Sequence, residues 1–214
     1  MATTLYLIRH GETAGDGVKR YKGSIDVPLS PRGHAQAARL AVWLKAWLPA
    51  LDAVYASPLG RARDTARPLA DAYGRDIATH PSLRERSFGE WEGMSFEEIR
   101  AAWPGAFTAW ASDPLNHAPV GGESTREVRD RVVPAIEGIV ARHAGERIAV
   151  VAHGGVNRVV LCHALGAPME NIFRVEQDFG CLSVIEYHDT HPVVTMMNRL
   201  PGEDRAVPGQ RVSG

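Results

Sequence analysis

Residues 147–152, Arg-Ile-Ala-Val-Val-Ala, contain no polar side chain after the first. Successive side chains of a strand point to opposite faces, so such a run is buried on both and belongs inside a sheet covered by helices on each side. Residues 4–9, 53–56, 182–187 and 193–198 read as further strands, with a short one at 76–79. Between them apolar residues recur at helical spacing over 31–48, 59–72, 124–143 and 155–165, with a shorter helical stretch around 95–111. This alternation predicts an α/β fold, a three-layer α/β/α sandwich with a mostly parallel central sheet. At 214 residues one core suffices. Residues 1–200 therefore read as a single domain with a small insertion at about 95–122, and 201–214 as a flexible tail with little to bury.

Helix boundaries carry their own signals. Ser30-Pro31 and Ser57-Pro58 each offer a capping serine followed by a proline suited to a first helical position. Ser124 and Glu127 form a capping box ahead of Val128, Val132, Ile136 and Val140, a stripe that should face the core. Pro134 is expected to kink or restart that helix.

Charge excludes some partners. Lys plus Arg (24) balances Asp plus Glu (25), so no net field favours nucleic acid or an anionic membrane, and an anion site has to be built locally. Cys162 and Cys181 form no CxxC and read as reduced core residues. A strand starting almost at Met1 and the lack of any long apolar run predict a cytoplasmic location without membrane attachment.

The chemistry gathers at the carboxyl ends of the expected strands, where open α/β sheets bind ligands. Arg9 and His10 follow the first, Arg61 lies in the opening turn after the second, and His153 follows the run ending at Ala152. Two arginines present donor forks matched to phosphate oxygens, and the N-terminus of the helix after Ser57 adds positive potential. A neutral imidazole can attack phosphorus if its other nitrogen keeps a proton and a fixed partner. His10 suits that role, with Arg9, Arg61 and His153 holding the equatorial oxygens. Glu85, within Leu83-Arg84-Glu85-Arg86-Ser87-Phe88-Gly89, is the preferred group to protonate the leaving oxygen and then deprotonate water; Glu12, Glu90 and Glu92 are weaker candidates. There is no HExxH, and arginines beside His10 and His153 would repel a cation, so neither metal nor cofactor is expected. Trp91, Trp103 and Trp110 are either cavity lining or core.

The ordered motifs LIRHGET, SPLGRARDTA, LRERSFGEWEG, GGES and VVAHGG resemble the histidine phosphatase superfamily, in its phosphoglycerate mutase-like branch. The resemblance implies that His10 is the nucleophile, that Arg9, Arg61 and His153 form the phosphate pocket, and that Glu85 is the proton donor. It places Thr13 and the backbone of Gly23 and Gly154 against substrate or phosphate. Asp16 departs from the pattern, since family members commonly carry asparagine six residues after the nucleophile. A carboxylate there would repel phosphate, so Asp16 is expected to point away within Gly15-Asp16-Gly17.

These readings predict a metal-independent phosphomonoesterase acting through phospho-His10 on a small phosphorylated metabolite. The segment Phe173-Arg174-Val175 and the run Gly180-Cys181-Leu182-Ser183-Val184 resemble α-ribazole phosphatases, which makes α-ribazole 5'-phosphate a candidate substrate. A phosphoglycerate mutase is the first alternative. It is disfavoured because residues 95–122 hold Arg100 as their one arginine and no lysine, whereas mutases of the family carry a longer basic insertion. The second alternative is a phospho-ligand binding module without catalysis. The family resemblance also allows a homodimer.

Overall fold

The computed structural model describes residues 2–15 and 20–202. Asp16 and most of the tail expected at 201–214 lie outside them. The chain begins with strand β1 (Thr3–Arg9), helix α1 (Pro31–Trp47), β2 (Ala53–Ala56), α2 (Gly60–Tyr73) and β3 (Ile77–Thr79). Two short helices follow, α3 (Phe96–Ala102) and α4 (Pro104–Ser112), then α5 (Thr125–Arg142), β4 (Arg147–Ala152), α6 (Gly154–Ala164), β5 (Leu182–Tyr187) and β6 (Pro192–Arg199). Six strands form one sheet in the order β3-β2-β4-β1-β5-β6. β1, β2, β3 and β4 pair in parallel, while β5 runs antiparallel to both β1 and β6. The sandwich is thus the expected one, with a mixed edge.

The period-2 alternation of the central strands explains their continuous hydrophobicity. Leu5, Leu7, Ile148 and Val150 point to one face and pack with Val128, Val132, Ile136 and Ile139 of α5 and Val156 and Val160 of α6. Tyr6, Ile8, Ala149 and Val151 point to the other and meet Leu40 and Leu44 of α1 and Leu69 of α2. Each fully buried Leu, Ile or Val side chain contributes roughly 1.5–3 kcal/mol of burial, so both helical layers are held by the same strands.

Ser30 caps α1 by accepting from the Gly33 N–H, with Pro31 at the first position, and Ser124 and Glu127 close their capping box on α5. Ser57 departs from expectation. α2 starts at Gly60 after Leu59, whose side chain supplies no cap, and Ser57 Oγ is used elsewhere. Pro134 does not restart α5, which runs unbroken from Thr125 to Arg142. The two cysteines are free and buried. No helix among the described residues is long and apolar enough to cross a membrane.

α3 and α4, in the predicted insertion, pack Ile99, Phe107 and Trp110 around Trp91 from the preceding turn into a small apolar core of their own. A second capping box, Ser95 with Glu98, starts α3.

Candidate active site

Parallel pairing puts the carboxyl ends of β1, β2 and β4 side by side. The ladder continues one residue past β1, where the His10 N–H donates to the Ala152 carbonyl at 3.0 Å. The next turn is pinned from below. The Gly11 N–H donates to Thr65 Oγ1 at 3.0 Å, and a Cβ on Gly11 would lie 2.6 Å from the Gly33 carbonyl oxygen, so α1 approaches too closely for any other residue. His10 Nδ1 meets the Gly11 carbonyl at 2.7 Å. A carbonyl can only accept, so Nδ1 carries the proton and the lone pair is on Nε2. Burial, reinforced by the charges of Arg9 and Arg61, holds this ring well below the ordinary histidine range, so it is neutral and nucleophilic.

His153 caps the end of β4, and its ring centroid lies 5.1 Å from that of His10. Burial first, then the neighbouring His10, Arg61 and Arg9, lower its basicity as well. Its Nε2 pairs with Ser57 Oγ at 2.8 Å, while the Leu59 N–H donates to the same oxygen at 3.3 Å. An imidazole accepting the Ser57 hydroxyl proton at Nε2 bears its own proton on Nδ1. That Nδ1 is buried and makes no bond within the protein.

The arginines are oriented chiefly by backbone carbonyls, and Asp26 Oδ1 lies a further 3.9 Å from Arg61 Nη1. Arg9 donates through Nη1 to the Gln177 carbonyl at 2.5 Å and stacks 3.8 Å above the Phe179 ring. Arg61, 1% exposed, donates from Nη1 and Nη2 to the carbonyls of Ile25 and Gly23, each at 2.7 Å. Nε of both arginines is buried without a partner in the protein. Together with His153 Nδ1 this makes three buried nitrogens without a protein partner in one neighbourhood, and unpaired buried polar groups are rare outside binding sites.

Glu85 is half-buried, and its carboxylate accepts from two backbone donors: Oε1 from the Arg86 N–H at 2.9 Å and Oε2 from the Gly155 N–H at 3.2 Å. The weaker acidic candidates have other work. Glu12 accepts from Ser30 Oγ at 2.7 Å, Glu92 binds the Ser24 and Phe88 N–H groups, and Glu90 is exposed.

Arg9, His10, Arg61, Glu85, Thr13 and Gly23 all line one cavity of about 510 Å³, with His153 buried behind His10. Thr13 Oγ1 accepts from Lys22 Nζ. Gly154 lies apart from these, on an adjoining cavity that also touches Arg9 and Glu85. Of the three tryptophans, Trp110 lines this adjoining cavity, while Trp91 is core and Trp103 packs against it. Sequence reasoning passed over Lys22 and Arg158. Lys22, beside Gly23, was within reach of motif reading. Arg158 lies four residues past Gly154 on α6, one helical turn along the same face, and that spacing was the available signal.

The cavity can therefore seat a phosphoryl group against a neutral imidazole nitrogen, with a carboxyl group beside it. Comparison with known proteins agrees. Phosphoserine phosphatase 1 of Hydrogenobacter thermophilus is 33% identical over 194 residues, covering 91% of this chain and 91% of that protein. The adenosylcobalamin/alpha-ribazole phosphatase of Salmonella typhimurium is 32% identical over 198 residues, covering 91% and 95%. The crystal structure of the alpha-ribazole phosphatase from Shigella flexneri superposes with a TM-score of 0.84 at 29% identity, over 92% of this chain and 96% of that one. The family model of the histidine phosphatase superfamily (branch 1) matches residues 5–200, and the chain belongs to that family, as a phosphatase of a small phosphorylated metabolite.

Proposed function

We propose that the chain hydrolyses phosphate monoesters through a phosphohistidine at His10. The observation that carries this is the commitment of His10 Nδ1 to the Gly11 carbonyl, which leaves Nε2 as the nucleophilic atom on a cavity shared with Arg9, Arg61 and Glu85. In the first step the Nε2 lone pair forms a bond to phosphorus. The bond from phosphorus to the alcohol oxygen breaks, and that oxygen takes its electron pair and a proton from the Glu85 carboxyl. In the second, the Glu85 carboxylate takes a proton from water, the oxygen bonds to phosphorus, and the P–N bond returns its pair to His10. Arg9, Arg61 and His153 Nδ1–H donate to the equatorial oxygens as charge spreads over them, and no metal ion enters the scheme. Thr13, Gly23 and Gly154 shape the pocket, and residues 1–200 act as one domain working in the cytoplasm, consistent with two free, buried cysteines.

Within small phosphorylated metabolites, α-ribazole 5'-phosphate is the candidate substrate put first, supported by the likeness to alpha-ribazole phosphatases. The test is chemical trapping. Rapid acid-free denaturation during turnover should yield one alkali-stable, acid-labile phosphate per chain, absent in His10→Ala. Hydrolysis persisting in His10→Ala, or a mutase rate on 3-phosphoglycerate above the hydrolytic one, overturns the reading.

A further inference from the structure

Among the described residues Asn198 is the one residue other than glycine with a positive φ, at 54°. It sits where β6 slips against β5: Leu182 pairs with Arg199 and Val184 with Met196, so two steps along β5 are matched by three along β6. The extra residue makes a bulge, and a bulge bends the strand and re-aims a side chain. A left-handed backbone is unfavourable for a residue with a Cβ, least so for asparagine, and such strain gathers at functional sites.

The bulge turns Asn198 inward. It is buried on an edge strand whose neighbours Met197 and Arg199 are exposed. Its own N–H donates to Ser183 Oγ at 3.1 Å, which closes the bulge on β5. The side-chain amide reaches further, to the turn ahead of β5. Oδ1 accepts from the Asp178 N–H at 2.8 Å and Nδ2 donates to Asp178 Oδ2 at 3.0 Å. A backbone N–H can only donate, so the amide oxygen faces it and the amide nitrogen faces the carboxylate.

That turn is a wall of the phosphate cavity. Glu176, Gln177, Asp178 and Phe179 line it, and Asn198 does not. The Gln177 carbonyl accepts from Arg9 Nη1, the Phe179 ring lies 3.8 Å from the Arg9 guanidinium and 5.5 Å from the His10 ring, and the Gly180 N–H donates to the His10 carbonyl at 3.1 Å. Residues 176–181 belong to neither helix nor strand, so their position depends on tethers of this kind.

We propose, on the phosphatase reading above, that Asn198 is a positioning residue for phosphate binding: by tethering Asp178 it sets where the Gln177 carbonyl and the Phe179 ring hold Arg9. Asn198 reaches no reacting atom itself. A guanidinium fork that is displaced loses the alignment of its two parallel bonds to phosphate oxygens, and that alignment gives such pairs their strength. The effect falls on the phosphoryl oxygens and not on the leaving group.

Binding of inorganic phosphate, read by equilibrium dialysis well below the melting temperature, tests this. Asn198→Gly keeps the left-handed backbone without strain and removes both amide contacts. Phosphate should then bind about tenfold more weakly, the worth of roughly one charge-assisted hydrogen bond. Asn198→Asp retains an oxygen for the Asp178 N–H and tolerates positive φ, but it sets two carboxylates together and should weaken phosphate at least as much. On an Arg9→Lys background, where the fork is already gone, either substitution should add less than about twofold. kcat/KM should fall by a similar factor for glycerol phosphate and for a nitrophenyl ester. Phosphate affinity unchanged in both variants, with only the melting temperature lowered, would show a residue that merely closes the bulge and would overturn the proposal. An undiminished loss on the Arg9→Lys background would overturn it as well. Wild-type protein that binds no phosphate would strike the phosphatase reading, and the positioning with it, so the two failures are distinct.

Discussion

Gly155→Ala separates catalysis from stability at one atom. Gly155 is the second residue of α6, and its N–H donates to Glu85 Oε2 at 3.2 Å. A Cβ built there would stand 2.6 Å from Glu85 Oε1, the end of a flexible side chain, so the carboxylate swings away and the helix stays. Alanine in place of a helical glycine is neutral or stabilising by up to about 1 kcal/mol. Losing the hydrogen bond that positions a charged group costs about 1.5–3 kcal/mol. If that loss falls on the transition state it slows the step roughly 10- to 150-fold, at about 1.4 kcal/mol per decade. The full worth of a positioned acid, about 10²- to 10⁴-fold, bounds the effect from above. The assay is single-turnover phosphoenzyme formation with glycerol phosphate and with a nitrophenyl ester, alongside a thermal melt. The alkyl substrate should slow by the stated factor, the nitrophenyl ester far less because its leaving group needs little protonation, and the melting temperature should hold or rise. Equal slowing of both substrates, or a Gly155→Ala effect that persists undiminished on a Glu85→Gln background, would refute the role given to Glu85.

Two further outcomes follow from the same geometry. His10 and His153 are less basic folded than unfolded, so below about pH 6.5 the unfolded chain binds more protons and stability falls with pH, by about 1.4 kcal/mol per pH unit for each ring; above that pH their contribution is level. Urea midpoints from pH 7.5 to 5 should show this slope, and a His10→Asn, His153→Asn double variant with an unchanged slope would contradict it. Gly23→Ala places a side chain at φ +47° with its Cβ 2.2 Å from Glu92 Oε1, displacing the carbonyl that holds Arg61. We expect a loss of about 1–3 kcal/mol of stability and weaker phosphate inhibition, measured by denaturant melts and by Ki; unaltered phosphate affinity would show that Arg61 does not depend on that loop.

Much of the architecture was legible because local rules and burial agree. The Leu5 to Ile8 and Ile148 to Val151 runs name the central strands by their unbroken hydrophobicity, and Ser30-Pro31 and Ser124 with Glu127 mark helix starts that the backbone then uses. Ser57-Pro58 misled because α2 begins only at Gly60, so the Ser57 oxygen accepts from the Leu59 N–H ahead of the helix and pairs with His153, 96 residues away, instead of capping the first turn. Pro134 does not restart α5, since the burial of Val132, Ile136 and Ile139 on either side holds the helix together across a residue that would break an isolated one.

By itself the sequence determined the layers of the sandwich and the residues that could handle a phosphoryl group, because hydrophobic period and motif order are properties of the chain. Tertiary structure alone decided which nitrogen of His10 is free, which carbonyls steer Arg9 and Arg61, and that Ser57 serves His153. It also decided that Phe96, Phe107, Trp110 and Phe173, spread over 78 residues, close on one cavity with Arg158. Those relations depend on distances between segments remote in the chain, and packing, not local propensity, sets such distances.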